Sequence, residues 1–366
     1  MMTKFIYIDD DPESYYKIQG FENEKLTIES QQHKDSWEEQ LQSIKNKEDE
    51  IDGIILDLKL DDLPNLNGHR AKFRGTSLAQ EIRTRQKEGI LKSFPIVLFS
   101  ANDKVSLALE KSGKDLFDIC IDKSNINSES FAIYTPQLLT LASGYKKLLK
   151  TKDIKESLNS DISFIDSRFL SELEDYQSSP VHVQARFIIT ELLDKQGLLI
   201  NEDVLAARLG IDKTSSPDWE LLKQSLSTAQ YTGVFYEGWP KWWMHLVDRW
   251  WTEKIEVNLS LRSTPASKKV EQIRAKLNFD KLEVAQRIDK SVSDEFWTIC
   301  KGYNRPLDPV DGLIIQGQDN LYPWQEPEYV SIDAALKKKN IENWGQVADV
   351  EKEYLEELKV VFRPKK

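Results

Sequence analysis

Five short apolar runs lie within the first 123 residues of the chain and are separated by longer amphipathic stretches. The runs are residues 4–8, 26–28, 53–56, 95–99 and 118–121. Short runs that are apolar on both faces and alternate with helical patterns are typical of a parallel sheet wound in βα units. The sequence therefore predicts a doubly wound, five-stranded parallel α/β fold at the start of the chain.

The length of 366 residues predicts more than one domain. The chain has 61 acidic and 50 basic residues and a formal charge of -11, which opposes nonspecific attraction to nucleic acid and to anionic membranes. Two cysteines are too few for a disulfide framework, the N-terminus lacks the apolar region of a signal peptide, and the longest apolar runs have the length of strands. These features predict a cytoplasmic protein.

The pattern changes near residue 150. Nine of the ten tryptophans follow that point, and the periodicity becomes mostly helical. We predict a domain over residues 1–150, a helical linker over 151–180, and a mainly α-helical, tryptophan-rich output domain over 181–366. A short strand is predicted at residues 313–315, and no known family is recognised in the second half.

Polar residues stand directly after four of the predicted strands: Asp9, Asp10, Asp57, Ser100 and Lys123. Because the carboxyl ends of parallel strands meet at one edge of a sheet, these side chains are expected to converge there. Three crowded carboxylates repel one another unless a hard cation lies among them, and Mg²⁺ suits such a set of ligands. A lysine, a serine hydroxyl and a metal beside a carboxylate are the groups that phosphoryl transfer onto that carboxylate requires.

The segments YIDDDP, IILDLKL, PIVLFSA and ICIDK occur in this order and spacing, and together they resemble the receiver domain of bacterial two-component response regulators. The resemblance covers roughly residues 1–150 and implies a flavodoxin-like (CheY-like) fold. It implies Asp57 as the phosphoacceptor and Asp10 as a direct Mg²⁺ ligand, with Asp9 acting mostly through water. The backbone carbonyl of Lys59 is implied as a further metal ligand.

The same resemblance gives the two remaining polar residues a role. Ser100 takes the place of the hydroxyl residue that moves onto the phosphoryl group, and Lys123 takes the place of the lysine that pairs with that group. Lys59 and Asn102 occupy the positions that tune how fast the aspartyl phosphate hydrolyses.

Three features depart from the family pattern. The loop after Asp57 is about twenty residues long, so an insertion is expected beside the site, where it either covers the site or contacts a partner. Ser124 replaces the usual proline after Lys123, so a cis peptide bond is not expected there. Cys120 replaces the aromatic residue that reports activation; a small thiol can pack as core but cannot report a rotamer switch in the same manner, so signal propagation is expected to differ.

The densest aromatic stretch runs from residue 231 to 251. Trp243, Val247 and Trp250 fall at helical spacing, which favours a buried seam. The alternative is that Trp239, Trp242 and Trp251 form an exposed platform for a ligand or partner. Residues 202–211 resemble one helix of a helix-turn-helix, but residues 217–229 carry one lysine and two acids, which argues against DNA recognition.

The sequence thus favours a response regulator that accepts a phosphoryl group on Asp57 from a histidine kinase or phosphotransfer protein. We expect it to signal through protein interaction with a downstream partner, with a homodimer as a further option. Three alternatives stay open: an output enzyme with scattered catalytic residues, a transcription regulator, and a receiver-like binding module that never cycles phosphate.

Overall fold

The computed structural model describes residues 2–101, 114–256 and 258–362. The chain forms two compact units. The N-terminal unit comprises residues 1–160, 170–190 and 232–239, and the C-terminal unit comprises residues 161–169, 191–231 and 240–366.

A five-stranded sheet forms the centre of the N-terminal unit. Its strands are β1 (Thr3–Ile8), β2 (Leu26–Gln31), β3 (Gly53–Leu56), β4 (Ile96–Ser100) and β5 (Ile119–Asp122). Their order is β2-β1-β3-β4-β5, and every neighbouring pair is parallel. This confirms the predicted doubly wound α/β fold, and the order is that of flavodoxin-like sheets.

Up to residue 150, the described residues of this unit form the helices α1 (Tyr15–Gln19), α2 (Trp37–Lys47), α3 (Gly75–Lys87) and α4 (Ser128–Leu148). Short 3-10 turns occur at Pro12–Ser14, Lys114–Leu116 and Ile154–Leu158. Local signals explain two of the helix starts. Ser36 accepts a hydrogen bond from the backbone of Glu39 at the start of α2, and Asn127 forms a capping box with Ser130 at the start of α4.

Both faces of the sheet are buried, which explains why its strands read as continuous apolar runs. Alternate residues of β1 point to opposite faces. Ile6 and Ile8 belong to a core cluster that also contains residues of α2 and α3. On the other face, Tyr7 packs edge-on against Phe99, and Phe99 packs against Phe21 after α1.

A buried polar network lies at the amino ends of β4 and β5, at the opposite edge of the sheet from the carboxyl ends of the strands. The Asp118 carboxylate accepts a hydrogen bond from Arg83 of α3 at 2.8 Å, another from the backbone of Ile96 at 2.7 Å, and one from the Tyr145 hydroxyl of α4. The side chains of Arg83, Asp118 and Tyr145 are all buried. Buried charged groups are stable only when they are paired in this way.

Two later segments of the chain also belong to the N-terminal unit. Residues 170–190 include most of helix α5 (Ser167–Asp175) and all of helix α6 (Val181–Ile188). The segment 232–239 lies against α4, where the ring of Phe235 lies 2.2 Å from the position that a Cβ atom on Gly144 would take. Glycine is therefore needed at position 144 for this close approach.

The C-terminal unit is mostly helical, in agreement with the prediction. A π-type turn spans Ile189–Leu193, and 3-10 turns span Ile162–Phe164, Ser227–Ala229, Pro309–Asp311, Ile341–Asn343 and Asp349–Glu351. The α-helices are α7 (Glu202–Arg208), α8 (Trp219–Ser225), α9 (Met244–Lys254), α10 (Ala266–Leu277), α11 (Ile332–Lys337) and α12 (Lys352–Val361).

This unit also contains two sheets that the sequence analysis did not predict. A two-stranded antiparallel sheet pairs β6 (Leu199–Ile200) with β7 (Trp242–Trp243). A four-stranded sheet has the order β10-β11-β8-β9, formed by β8 (Thr298–Cys300), β9 (Arg305–Leu307), β10 (Gly312–Ile314) and β11 (Tyr329–Ser331).

The tryptophans of the aromatic stretch of residues 231–251 are buried. Trp243 and Trp250 belong to the interior, which confirms the buried seam. The alternative prediction of an exposed platform was wrong, because Trp239, Trp242 and Trp251 are only 6%, 5% and 1% exposed. Helix Met244–Lys254 is amphipathic, because Val247, Trp250 and Trp251 are buried while Asp248 and Arg249 are exposed.

No helix within residues 2–101, 114–256 and 258–362 is long and apolar enough to cross a membrane. The domain limits 1–150, 151–180 and 181–366 remain a prediction.

Candidate phosphoacceptor and metal site

The carboxyl ends of three central strands bring the predicted site residues together. Asp9 and Asp57 directly follow β1 and β3, in which Ile8 and Leu56 are neighbours in the sheet register. Ser100 ends β4, two residues after Leu98, which pairs with Leu56. The convergence expected from sequence therefore occurs at this edge of the sheet.

The three acids form a compact oxygen cluster. Carboxylate oxygens of Asp9, Asp10 and Asp57 all lie within 4.8 Å of one another, and all three residues are buried. Burial raises the pKa of Asp10, the hydrogen bond from Leu63 lowers it, and the charge of Asp9 raises it again. The net result is a pKa of about 6. Burial and the charge of Asp9 also raise the pKa of Asp57.

Lys123 supplies a positive charge to this cluster. Its Nζ atom lies 2.6 Å from Oδ1 of Asp57 and 3.1 Å from Oδ2 of Asp9. Burial alone would lower the pKa of Lys123, but the charges of Asp57 and Asp9 outweigh it and leave the pKa raised. Lys123 therefore stays protonated and bridges two of the three acids.

Ser100 is fully buried, and its hydroxyl oxygen has no hydrogen-bond partner among the residues that the structure describes. A buried hydroxyl without a partner costs free energy. It follows that this hydroxyl is available to a group that enters the site.

Two contacts of Asp9 were not predicted. The Tyr7 hydroxyl donates a hydrogen bond to Oδ2 of Asp9, and the backbone N–H of Asp11 donates to Oδ1 at 2.9 Å. Asp9 is thus held on both oxygens by its own strand and loop. Tyr7 stands on β1 among aliphatic residues, and its polar hydroxyl is the sequence signal that points to this contact.

The insertion after Asp57 lies directly against the site. The backbone N–H of Leu63 donates a hydrogen bond to Oδ2 of Asp10 at 2.6 Å. Asn65 organises the turn that follows, because its side-chain oxygen accepts from the backbones of Asn67 and His69 at 3.0 and 3.2 Å and its amide donates to Asp35. The insertion therefore covers Asp10, which was one of its two expected roles.

The donor set suits a hard divalent cation. All three acidic side chains offer oxygen ligands, and a cation among them would offset the burial and the mutual repulsion that raise the pKa of Asp10 and Asp57. Lys59 follows on the same loop, where its backbone N–H donates to Oδ2 of Asp57 at 2.7 Å and its side chain pairs with Asp62. The residues present therefore fit a metal site.

The departures from the family pattern are visible in the structure. No peptide bond among the described residues is cis, so the Lys123–Ser124 bond is trans as expected. Cys120 is exposed, so its thiol does not pack in the core. The reason is that β5 is the edge strand of the sheet. Asn102 lies outside the described residues.

The fold and this edge together define a flavodoxin-like α/β domain with an acidic, lysine-bridged site. The solved structures that resemble the chain include response regulator receiver domains. One is a receiver domain protein from Clostridium thermocellum, with 19% identity, a TM-score of 0.29 and coverage of 40% of this chain and 99% of that chain. Another, from Methylobacillus flagellatus, has 19% identity, a TM-score of 0.26 and coverage of 36% and 92%.

A third is the phosphorylated cyanobacterial phytochrome response regulator RcpA, with 21% identity, a TM-score of 0.24 and coverage of 40% of this chain and 94% of that chain. No family model matches the chain, and no curated protein matches it. Similarities of this size assign no activity to the chain, and its function has to be argued from its own site.

Proposed function

We propose that the chain is a response regulator whose receiver domain accepts a phosphoryl group on Asp57. The observation that carries this proposal is the geometry around Asp57, where Lys123 lies 2.6 Å from one carboxylate oxygen and two further acids lie within metal-binding distance. An isolated buried cluster of three acids would destabilise the fold. A cluster that binds a cation and a phosphoryl group explains why these residues are buried together.

Each residue has a defined role in the proposed reaction. An oxygen of Asp57 attacks phosphorus, so an O–P bond forms as the P–N bond of a phosphohistidine donor breaks, and the donor imidazole takes a proton. Lys123 pairs with the transferred group, and the Ser100 hydroxyl donates a hydrogen bond to it. Mg²⁺, held by Asp10, Asp57 and the Lys59 carbonyl, with Asp9 acting through water, would neutralise negative charge on the phosphoryl oxygens.

The proposed donor is a histidine kinase or a phosphotransfer protein. The proposed output is contact between the residue 181–366 region and a downstream protein. The buried tryptophans of the aromatic stretch do not support an exposed aromatic platform, so this partner has to recognise another part of that region.

The test is phosphorylation with a small donor. Wild-type protein is incubated with acetyl phosphate and Mg²⁺ and compared with Asp57→Asn by intact mass. We expect the wild type to gain the mass of one phosphoryl group, with loss of that mass in EDTA and in the variant. Asp62→Asn is the matched control, because Asp62 lies on the same loop with an exposed side chain. An unmodified wild type that still binds Mg²⁺ would instead indicate a binding module that does not cycle phosphate.

A further inference from the structure

A cavity of about 390 Å³ lies within the C-terminal unit. Its volume is within the range of small-molecule sites, which are usually apolar pockets with a few fixed polar groups. Ile299 of β8 and Pro306 of β9, which pair in the sheet, form one wall. Ala206, Ile211 and Ala285 form the facing apolar wall.

The walls of this cavity are fixed by backbone contacts. Ile211 forms a β-bridge with Val284, and the N–H of Ala285 donates to the carbonyl of Gly210 at 2.9 Å. These bonds hold the segment after α7 against residues 284–285. The cavity is therefore a preformed feature of the unit, which lowers the cost of binding.

Three of the four charged residues that line the cavity are satisfied by the protein. Lys213 pairs with Asp203 at 2.7 Å. The Asp212 carboxylate accepts hydrogen bonds from the backbone and hydroxyl of Thr214 at 3.0 and 2.7 Å and from the Ser215 hydroxyl at 3.0 Å. Thr214 therefore caps one oxygen of the Asp212 carboxylate within a local turn, and the Ser215 hydroxyl contacts the other oxygen.

Arg305 is the fourth charged residue, and its charge is not neutralised by the described part of the chain. Its Nη2 atom donates to the carbonyls of Gln286 and Arg287 at 3.1 and 3.2 Å, and no carboxylate of the described residues lies within ion-pair distance of it. The side chain of Arg305 is exposed, and both bonds come from one nitrogen, which leaves the other N–H groups of the guanidinium available. A guanidinium held in this way suits a carboxylate, phosphate or sulfonate group.

We propose that this cavity binds a small amphipathic anion, with the anionic group on Arg305 and an apolar body between Ile299 and the facing wall. The C-terminal unit would then respond to a small molecule as well as to the state of Asp57. This proposal goes beyond the function proposed above and does not depend on phosphorylation.

The probe is 8-anilinonaphthalene-1-sulfonate, an apolar anion whose fluorescence rises in apolar surroundings. Its uncharged analogue N-phenyl-1-naphthylamine serves as the comparison. Titration of the full chain uses wild type, Arg305→Gln and Arg287→Gln, and Arg287 is the matched control because it is an exposed arginine outside the cavity lining. We expect Arg305→Gln to weaken binding of the anionic dye about tenfold, without weakening binding of the neutral dye.

A third variant tests the location. Ile299→Phe adds volume inside the cavity and should weaken binding of both dyes, and its melting temperature checks that it folds. Displacement of the dye by phenyl phosphate or by benzoate then separates phosphate from carboxylate ligands. The proposal is overturned if the wild type binds no dye, if all variants bind both dyes equally, or if Arg287→Gln and Arg305→Gln weaken binding of the anionic dye to the same degree.

Discussion

The backbone N–H of Leu63 donates a 2.6 Å hydrogen bond to the carboxylate of Asp10. This bond joins the insertion that follows Asp57 to a residue proposed to bind the metal. It also stabilises the charged form of Asp10, and so offsets part of the effect of burial on its pKa. The insertion is therefore expected to influence metal binding through the backbone of Leu63.

The first prediction concerns the turn that holds Leu63 in place. Asn65→Ala removes the side-chain contacts to Asp35, Asn67 and His69, so the insertion should open more often. We expect faster hydrogen exchange at the Leu63 amide and a loss of about 1–2 kcal/mol in local opening free energy. Leu66→Ala is the control, because Leu66 is 96% exposed. Equal exchange in the two variants would contradict the prediction.

The second prediction concerns pH. The folded-state pKa of Asp10 is about 6, above its ordinary value of 3.8, so the folded protein holds a proton that the unfolded chain has lost. Ionisation of Asp10 therefore destabilises the metal-free fold progressively as pH rises from about 4 to about 6, and the cost remains above that range.

Asp10→Asn has no such cost. In EDTA, its stabilisation relative to wild type should be about 1 kcal/mol greater near pH 7 than near pH 5, measured by urea unfolding. With saturating Mg²⁺ near pH 7 the wild type should become more stable than Asp10→Asn, because the wild type keeps the Asp10 carboxylate that is proposed to bind the metal. A stability difference that does not change with pH would show that Asp10 has an ordinary pKa.

The third prediction concerns Lys123. Lys123→Met leaves the buried carboxylates of Asp9 and Asp57 without their shared cation, which should cost on the order of 3 kcal/mol in metal-free urea unfolding. Mg²⁺ should restore part of this loss while phosphorylation stays impaired. Lys59→Met is the control, since its exposed pair with Asp62 contributes less than about 1 kcal/mol. Similar losses in both variants would count against the bridging role.

The fourth prediction concerns the contact between Gly144 and Phe235. In Gly144→Ala the new methyl group meets the Phe235 ring, and overpacking of this kind costs about 1–3 kcal/mol against a helix-propensity gain of up to about 1 kcal/mol. We expect a net loss in thermal unfolding, and a smaller loss when Phe235→Leu is combined with it. A single variant as stable as wild type would show that segment 232–239 does not lie on α4.

The sequence predicted the parallel sheet well because its strands are apolar on both faces. Strand β3 was predicted with its observed limits, and β1, β4 and β5 differ by one residue at one or both ends. Strand β2 continues three residues further than predicted. It is an edge strand, so polar residues such as Glu29 are tolerated and the apolar pattern ends early.

The side chains of the site were also predictable, because each one follows a strand that the pattern identifies. The contact from Leu63 was not predictable, since it is made by a backbone N–H that any residue except proline provides. Of the four-stranded sheet of the C-terminal unit, only a short strand at residues 313–315, which overlaps β10, was predicted, because the strands of this sheet have three residues each. Such strands are too short to show a period of two.

The network of Arg83, Asp118 and Tyr145 has a mechanical consequence. It connects four elements at the amino edge of the sheet: α3, the start of β4, the segment before β5, and α4. Its buried ionic hydrogen bonds resist separation of these elements. Asp57 follows β3 at the carboxyl edge of the same sheet. Rearrangements that follow the proposed phosphorylation would therefore spread through the loops of the carboxyl edge, while the amino edge stays fixed.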